Sequence, residues 1–318
     1  MVGHEAAIRL LKGQLAQGHL APTYLLVGLK GIGKQTLALE LAKALECPSA
    51  NSGQAPSGEA CDTCQSCEGI ARGSFPDVMR IAPDSDLGTM GIDQVRALAN
   101  GMILTPHTGR WKVGLIDRVD QLTEEGSYAC LKLLEEPPGK SLFILTASNL
   151  NRLPATLVSR CHLIRCFPQG IQQVARFLRE EKQVDPALAT MLATGSSGRL
   201  GLALEFYQKE RLATKNAALN QLLSAWKKKL PEIPLGNAPR AEVEEALEWL
   251  AAWWRDLVVL GLQGDPAWII HQDRIEDLRR ESRNIDELLE LVERTYRVEE
   301  AIQRNASPRI ALAALLCN

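Results

Sequence analysis

The chain has 318 residues, of which 46% are hydrophobic and 23% charged, and its net charge is −2. These proportions are typical of a globular protein with two or three domains, and the near-neutral charge excludes a global electrostatic attraction to nucleic acid or membranes. No run of about 18 uncharged apolar residues is present and residues 1–12 lack a signal-peptide layout, so the expected location is the cytoplasm.

The first elements predict a nucleotide-binding fold. Residues 3–17 form a short amphipathic helical pattern, the apolar run 23–27 predicts a buried strand, and residues 37–45 predict a helix. Between strand and helix lies the run Gly-Leu-Lys-Gly-Ile-Gly-Lys-Gln-Thr, at residues 28–36. This is the setting of a P-loop, because glycines let backbone N–H groups approach phosphates and the helix N-terminus adds positive potential. Lys34 would reach the β- and γ-phosphates.

The residue after Lys34 argues against ordinary nucleotide chemistry. A P-loop ATPase carries Ser or Thr there to hold Mg²⁺, whereas this chain has Gln35, with Thr36 one place late. One step along a helix is a rotation of about 100°, so Thr36 cannot ligate the same ion. Weak binding without hydrolysis stays open, because the candidate phosphate-contacting residues are present: Gly28, Gly31, Gly33, Lys34 and Thr36.

Half of the eight cysteines form a cluster with the spacing C-x13-C-x2-C-x2-C, at Cys47, Cys61, Cys64 and Cys67. Four thiolates can close a tetrahedral site around Zn²⁺, and the x2 spacing lets neighbouring sulfurs converge in a tight turn. The pattern predicts a closed, structural zinc site; the alternative is four unligated cysteines in a loop. The others, Cys130, Cys161, Cys166 and Cys317, are scattered and are predicted to be buried thiols.

Strand and helix patterns alternate up to residue 167. Further strands are predicted at 77–81, 113–117, 142–147 and 163–167, and helices at 92–104 and 123–134. This alternation is typical of an α/β fold with a parallel, doubly wound sheet.

Asp117 ends the predicted strand 113–117, where the Asp that holds Mg²⁺ stands in many ATPases. An ATPase would normally place its water-activating Glu next, but the next residue is Arg118, which cannot accept a proton. The alternative is that Asp117 is only a carboxylate at the end of a strand. Arg118 predicts that this chain does not hydrolyse ATP.

Beyond residue 168 the strand signals fade and helical patterns take over. Short helices run to about residue 201, and everything from about residue 206 onward is predicted to be helical. Residues 240–261 carry two apolar stripes, which predicts a helix that packs on two sides, in a bundle or against another subunit. The tryptophans of this region lack interleaved Lys or Arg, which favours packing over base stacking.

Several motifs resemble those of bacterial clamp-loader subunits of the AAA+ class. They are Leu-Lys-Leu-Leu-Glu-Glu-Pro-Pro at 131–138, Phe-Ile-Leu-Thr-Ala at 143–147, Leu-Pro at 153–154 and Ser-Arg-Cys at 159–161, together with the cysteine cluster after the P-loop helix. Within that family, the segment 195–199 makes the chain more similar to delta-prime subunits than to gamma/tau motors. The resemblance implies a P-loop AAA+ domain over 1–167 with a zinc module at 47–67, a helical lid over 168–207 and an oligomerising all-α collar over 208–318.

The resemblance also implies roles for two arginines. Arg160 would act in trans as an arginine finger on nucleotide held by a neighbour; the alternative is a surface Arg paired with a local carboxylate. Arg199 would be a sensor of bound nucleotide or an anchor of the lid. The degenerate nucleotide site would consist of Arg199, Asp117 and the candidate phosphate-contacting residues of the loop. Glu135 and Glu136 end a helix, where acidic charge is unfavourable, so they either have a basic partner or are solvated.

Two functions are therefore expected as alternatives. The first is a delta-prime-like stator of the DNA polymerase III clamp loader, with no independent ATPase or polymerase site, structural Zn²⁺ and doubtful ATP binding. The second is an ATP-hydrolysing gamma/tau-like motor. In both, the implied partners are gamma/tau-like and delta-like subunits, with the sliding clamp and primed DNA reached through the complex, and no membrane.

Overall fold

The computed structural model describes residues 3–51, 58–84, 88–107, 110–208, 210–228, 234–281, 283–304 and 306–316. The chain divides into two compact units, Met1–Phe167 and Pro168–Asn318. Among the described residues, no helix combines the length and the apolar character needed to cross a membrane.

The first unit is built on five parallel strands, which confirms the predicted α/β class. They are β1 (Thr23–Val27), β2 (Val78–Ile81), β3 (Lys112–Ile116), β4 (Ser141–Ala147) and β5 (His162–Arg165). Their order across the sheet is β2-β3-β4-β1-β5. The helices are α1 (Glu5–Gln17), α2 (Lys34–Glu46), α3 (Pro48–Asn51), α4 (Gln65–Arg72), α5 (Ile92–Met102), α6 (Glu124–Glu135) and α7 (Ala155–Val158).

Helices cover both faces of this sheet. Along β4, Leu142 and Ile144 pack into an apolar cluster with α1 and α2, whereas Phe143 and Leu145 pack into a second cluster with α5 and α6. Successive residues of a strand point to opposite faces, so a strand covered on both sides must be apolar almost throughout. The inner strands β1, β3 and β4 are accordingly buried along their whole length, and the edge strands β2 and β5 are partly exposed.

The second unit is helical in the described residues. Its helices are α8 (Ile171–Lys182), α9 (Pro186–Gly195), α10 (Leu200–Tyr207), α11 (Glu210–Lys228), α12 (Arg240–Gly261), α13 (Ile275–Arg280), α14 (Ile285–Gln303) and α15 (Pro308–Leu316). One apolar cluster joins α8 to α10 and another joins α11 to α15. Trp249, Trp253 and Trp254 are buried in the second cluster, whereas Trp268 lies in a short 3₁₀ turn and is 60% exposed. The division into a lid and a collar remains a prediction.

A buried ion pair lies at the start of β3. Lys112 Nζ is 3.2 Å from Asp77 Oδ1, and the two side chains are 5% and 0% exposed. The same Asp77 oxygen accepts the backbone N–H of His107 at 2.8 Å, and Lys112 also donates to the Pro76 carbonyl at 3.0 Å. Both buried charges are therefore compensated, which a buried ion pair requires.

We expect Lys112→Met to destabilise the first unit by about 3 kcal/mol, because removing one member leaves a buried carboxylate without its counter-charge. The measurement is amide hydrogen exchange of β3, which reports on the first unit separately from the helical one. The control is Arg72→Met, which removes an arginine 73% exposed from a pair with Glu68 and should cost about 0.5 kcal/mol or less. Equal loss of β3 protection in the two variants would contradict the assignment.

Candidate functional site

The loops that follow β1, β3 and β4 leave the sheet at one edge. In a parallel sheet the carboxyl ends of neighbouring strands open onto the same edge, which is where α/β folds bind ligands. Gly28 follows β1, Asp117 follows β3 and Ser148 follows β4. Lys34 Nζ lies 3.4 Å from Ser148 Oγ, so the loop after β1 meets the end of β4 directly.

The glycines of the loop are required by its geometry. A Cβ on Gly28 would lie 2.3 Å from the Cys166 carbonyl oxygen and 2.5 Å from Ile32 Cδ1, so no larger residue fits there. Gly31 and Gly33 have φ angles of 79° and 97°, which other residues rarely adopt. The sequence thus folds locally into a tight turn that ends at the N-terminus of α2.

Lys34 is turned back onto its own loop. Its Nζ donates to the carbonyls of Gly28 and Leu29 at 2.6 and 2.9 Å. The side chain is buried, and burial lowers its pKa to about 8, against the opposing effect of the nearby Asp120 carboxylate. The ammonium group that would contact phosphates therefore already has protein acceptors.

Asp117 is held by neighbouring side chains at the end of β3. Its Oδ1 accepts a hydrogen bond from the Thr146 hydroxyl, and its Oδ2 lies 3.4 Å from Arg80 Nη2. Thr146 Oγ1 also accepts the backbone N–H of Arg118 at 2.9 Å. Arg118, which occupies the position of the water-activating Glu, is thus held through its backbone N–H. Its backbone is in a left-handed conformation with φ of 53°.

Asp120 orders the loop after β4. One oxygen of its carboxylate accepts the backbone N–H groups of Ser148 and Asn149, each at 3.1 Å. This places Ser148 beside Lys34. The Asp120 carboxylate therefore positions the loop after β4 by binding its backbone, and its negative charge also favours the charged form of Lys34.

Arg80 bridges two of the residues singled out in the sequence. In the amide orientation that satisfies its hydrogen bonds, the Gln35 side-chain oxygen accepts from Arg80 Nη1 at 2.9 Å and from Nη2. The same guanidinium faces Asp117. Thr36, one residue further along α2, is exposed.

The four clustered cysteines come together in space. Cys47 follows α2, Cys61 and Cys64 precede α4, and Cys67 lies in its first turn. Their sulfur atoms all lie within 4.8 Å of one another, compared with about 3.8 Å between sulfurs around a tetrahedral metal at 2.3 Å. The cluster could therefore hold a metal ion.

Backbone N–H groups point at these sulfurs. The Cys61 N–H donates to Cys47 Sγ and the Cys67 N–H to Cys64 Sγ, both at 3.5 Å. Hydrogen bonds from Thr63, first of all from its backbone, lower the pKa of Cys61 to about 6, whereas burial raises that of Cys67. Such donors stabilise thiolates, the form in which cysteine binds a metal.

Of the other cysteines predicted to be buried thiols, Cys130 and Cys166 are buried and Cys161 is only partly so. Burial raises the pKa values of Cys130 and Cys166 to about 12 and about 11. Burial also raises the pKa of Cys161 to about 11. Cys317 lies outside the described residues.

Arg160 lies just beyond α7 and remains 37% exposed. Its Nη2 is 2.5 Å from Oε1 of Glu135, the last residue of α6, and its Nη1 donates to the Thr156 carbonyl at 2.8 Å. The Ser159 hydroxyl donates to the same carbonyl at 3.0 Å. Glu135 thus has a basic partner within its own chain, and within this chain Arg160 has the local carboxylate partner that was the alternative to an arginine finger.

Arg199 is fixed within the second unit. It is 9% exposed, its Nε donates to the Ser196 carbonyl at 3.1 Å and its Nη1 to Glu248 at 2.9 Å. The preceding Gly198 has φ of 76°, and a Cβ there would lie 2.1 Å from the Gln169 carbonyl oxygen. These contacts tie the start of α10 to α12.

The amino-acid sequence matches a known family and several known proteins. A model of the family described as "DNA polymerase III, delta subunit" matches residues 3–169. The delta' subunit of Escherichia coli DNA polymerase III is 30% identical over 76% of this chain and 71% of its own.

The chain belongs to the bacterial clamp-loader AAA+ family.

Further similar proteins are tau subunits, which the chain matches over part of their length, and one solved structure. The tau subunit of Bacillus subtilis DNA polymerase III is 33% identical over 64% of this chain and 36% of its own, so the chain spans about a third of such relatives. A solved structure of a gamma-subunit-related protein from Thermotoga maritima covers 98% of this chain and 96% of its own, with 13% identity and a TM-score of 0.47. The family assignment rests on the sequence matches alone.

Sequence reasoning missed three residues that shape the site in this family member. Arg80 is a charged residue inside the apolar strand β2, which was a signal that could have singled it out. Thr146 is likewise a polar residue inside the apolar strand β4, although its partner Asp117 could not be read from the sequence. Asp120 carried no local signal, because its partner Ser148 lies 28 residues away along the chain.

We expect Lys34→Met to change how stability depends on pH. The pKa of Lys34 is about 8 in the folded chain and 10.5 ordinarily, so between these pH values the unfolded chain binds more protons and wild-type stability rises with pH. A shift of this size corresponds to about 3 kcal/mol at most.

Lys34→Met has no ammonium group at this position, so its stability does not gain the pH-dependent rise of wild type. Any stability advantage of the variant over wild type is therefore largest near pH 7 and shrinks towards pH 10.5. Urea titrations of both proteins across this range measure the difference. A difference that does not change with pH would show that Lys34 is not buried as a charge.

Proposed function

We propose that this chain is a non-hydrolysing, delta-prime-like stator subunit of the DNA polymerase III clamp loader. The observation that carries the proposal is Arg118, which follows Asp117 at the end of β3 and supplies no proton acceptor where ATP hydrolysis needs one. Gln35 in place of the magnesium-binding hydroxyl and Lys34 bonded to its own loop support the same conclusion. Two separate elements of metal-assisted phosphoryl transfer are missing together.

The chain's contribution to catalysis would then come from Arg160. We infer that it acts in trans as an arginine finger, neutralising charge on the γ-phosphate of nucleotide held by a neighbour. Its partial exposure at the end of a short helix supports this role. The contact with Glu135 holds the side chain in the isolated subunit and would exchange for phosphate in the complex.

The proposed partners are gamma/tau-like motor and delta-like subunits, and through the complex the sliding clamp and primed DNA. The helices of residues 208–318 would form an oligomerising collar, with residues 168–207 as a lid anchored by Arg199. The buried two-sided packing of α12 supports a structural role for this region. Such a subunit would act in the cytoplasm.

The competing function is that of an ATP-hydrolysing gamma/tau-like motor. It is favoured by the intact glycines and lysine of the loop and by the similarity to tau subunits. The two functions differ in one measurable property, which is ATP turnover by the chain itself.

For the cysteine cluster we propose a closed, structural zinc site. Four sulfurs without an additional open ligand position are the donor set of structural rather than catalytic zinc. The ion would join the end of α2 to the start of α4, because its ligands come from both.

We expect no ATP turnover above background from the isolated chain, and loss of turnover in the reconstituted complex on Arg160→Ala. The complex should keep its composition by size-exclusion chromatography while its ATPase rate falls by about 10³-fold or more at the affected site. Arg160→Lys should restore little, because an ammonium cannot form the paired contacts of a guanidinium.

The matched control is Arg176→Ala, which also removes an exposed arginine from a local ion pair, with Glu180. Wild-type-like complex activity in Arg160→Ala would remove this residue from the mechanism. Turnover by the isolated chain that is lost on Lys34→Ala would establish the motor function instead.

Elemental analysis of protein purified without added metal should find about one zinc ion per chain. Cys64→Ser should lower this content and the thermal stability, because three sulfurs bind the ion more weakly. Cys161→Ser is the control, since its thiol lies outside the cluster and donates to the Leu157 carbonyl at 3.2 Å, as a hydroxyl also can. A folded, metal-free protein with four titratable cluster thiols would refute the site.

A further inference from the structure

Arg80 lies where a P-loop fold places its magnesium ion. The ion is normally held by the hydroxyl after the loop lysine and, directly or through water, by the Asp at the strand end. In this chain those two positions are Gln35 and Asp117. In the amide orientation that satisfies its hydrogen bonds, the Gln35 oxygen accepts from both Nη1 and Nη2 of Arg80. Nη2 of the same guanidinium lies 3.4 Å from Asp117 Oδ2.

The acceptors at this position are matched to a guanidinium. A guanidinium carries five N–H donors in a planar fork, so it can serve an amide and a carboxylate together. The other oxygen of Asp117 accepts the Thr146 hydroxyl. Asp117 is thus paired on both oxygens by groups of the same chain.

A magnesium ion does not fit this arrangement. It needs oxygen ligands at about 2.0–2.1 Å in octahedral geometry, and the oxygens of Gln35 and Asp117 that could supply them face Arg80. An ion on Asp117 would also lie a few ångströms from the permanent positive charge of Arg80, which is 43% exposed, so like-charge repulsion would oppose the ion although solvent screens part of it. The ammonium group of Lys34 is a second positive charge at this edge of the sheet, so a divalent ion would add a third positive centre.

We propose that Arg80 is a built-in replacement for the magnesium ion, which makes the loop reject metal-bound nucleotide. The inference deepens the proposed stator function and rests on it. Gln35 is then a specific partner of Arg80 rather than a damaged magnesium ligand, since an amide oxygen reaches the guanidinium from the position of the missing hydroxyl. Any nucleotide that enters the loop binds without a divalent ion.

The test compares four full-length proteins: wild type, Gln35→Thr, the double variant Gln35→Thr/Arg80→Ala, and the control Gln35→Thr/Arg96→Ala. Arg96 is an exposed arginine of α5 that pairs with Asp93. Each protein is titrated with a fluorescent ATP analogue in saturating Mg²⁺ and in EDTA. Melting temperature with and without Mg²⁺ is the second readout, because an ion that binds only the folded chain raises it.

Mg²⁺ should leave nucleotide affinity and melting temperature unchanged in wild type, in Gln35→Thr and in the control. In the double variant, Mg²⁺ should raise nucleotide affinity by about tenfold or more, the size of one charge-assisted contact, and should raise the melting temperature. A magnesium response in wild type, or an equal one in Gln35→Thr alone, would overturn the proposal. A double variant that keeps its circular dichroism spectrum and gains no response would overturn it as well.

These outcomes are separable from failure of the stator proposal. A wild-type chain that binds ATP more tightly with Mg²⁺ but does not hydrolyse it would refute the role of Arg80 and leave the stator function standing. A chain that hydrolyses ATP would refute the stator function itself.

Discussion

Burial of the inner strands on both faces is the constraint on which the site depends. Since β1, β3 and β4 are covered by helices on both sides, polar side chains have little place within them and collect at the strand ends. Thr146, near the end of β4, is buried and bonds Asp117 at that edge. Because all strands run in the same direction, the loops after β1, β3 and β4 lie at the same edge of the sheet although they are distant in sequence. Their polar groups meet there.

At this edge most of the described polar groups satisfy one another, although the second oxygen of Asp120 is buried without a hydrogen-bond partner. Lys34 donates to loop carbonyls, Asp117 pairs with Thr146 and Arg80, and Asp120 accepts two backbone N–H groups. Buried or half-buried charges are costly unless they are paired, so each of these contacts removes a reason for the loop to need a ligand. In the proposed stator, this loop would serve mainly as a structural connection between β1 and α2.

The cysteine cluster and Arg160 are independent of that joint. The cluster draws its sulfurs from the end of α2 and the start of α4, away from the strand ends. Arg160 stays partly exposed and is oriented by Glu135 and the Thr156 carbonyl. Glu135, unfavourable for the dipole of its own helix, gains an opposite charge in this contact. The proposed absence of metal-dependent chemistry in the loop would therefore leave both features intact.

The sequence by itself determined the parallel α/β class, the strand positions to within two residues, the cysteine cluster and the irregular P-loop. These follow from periodicity and short spacing, which local residues specify. Only the tertiary structure decided that Lys34 turns onto its loop, that Arg80 meets an Asp117 that is 37 residues away, and that Glu135 pairs with Arg160. The physical reason is that a charged side chain takes whichever partner the folded chain brings within reach. For Arg80 and Glu135 that partner lies on an element far along the chain, and for Lys34 it is set by the tight turn of its own loop.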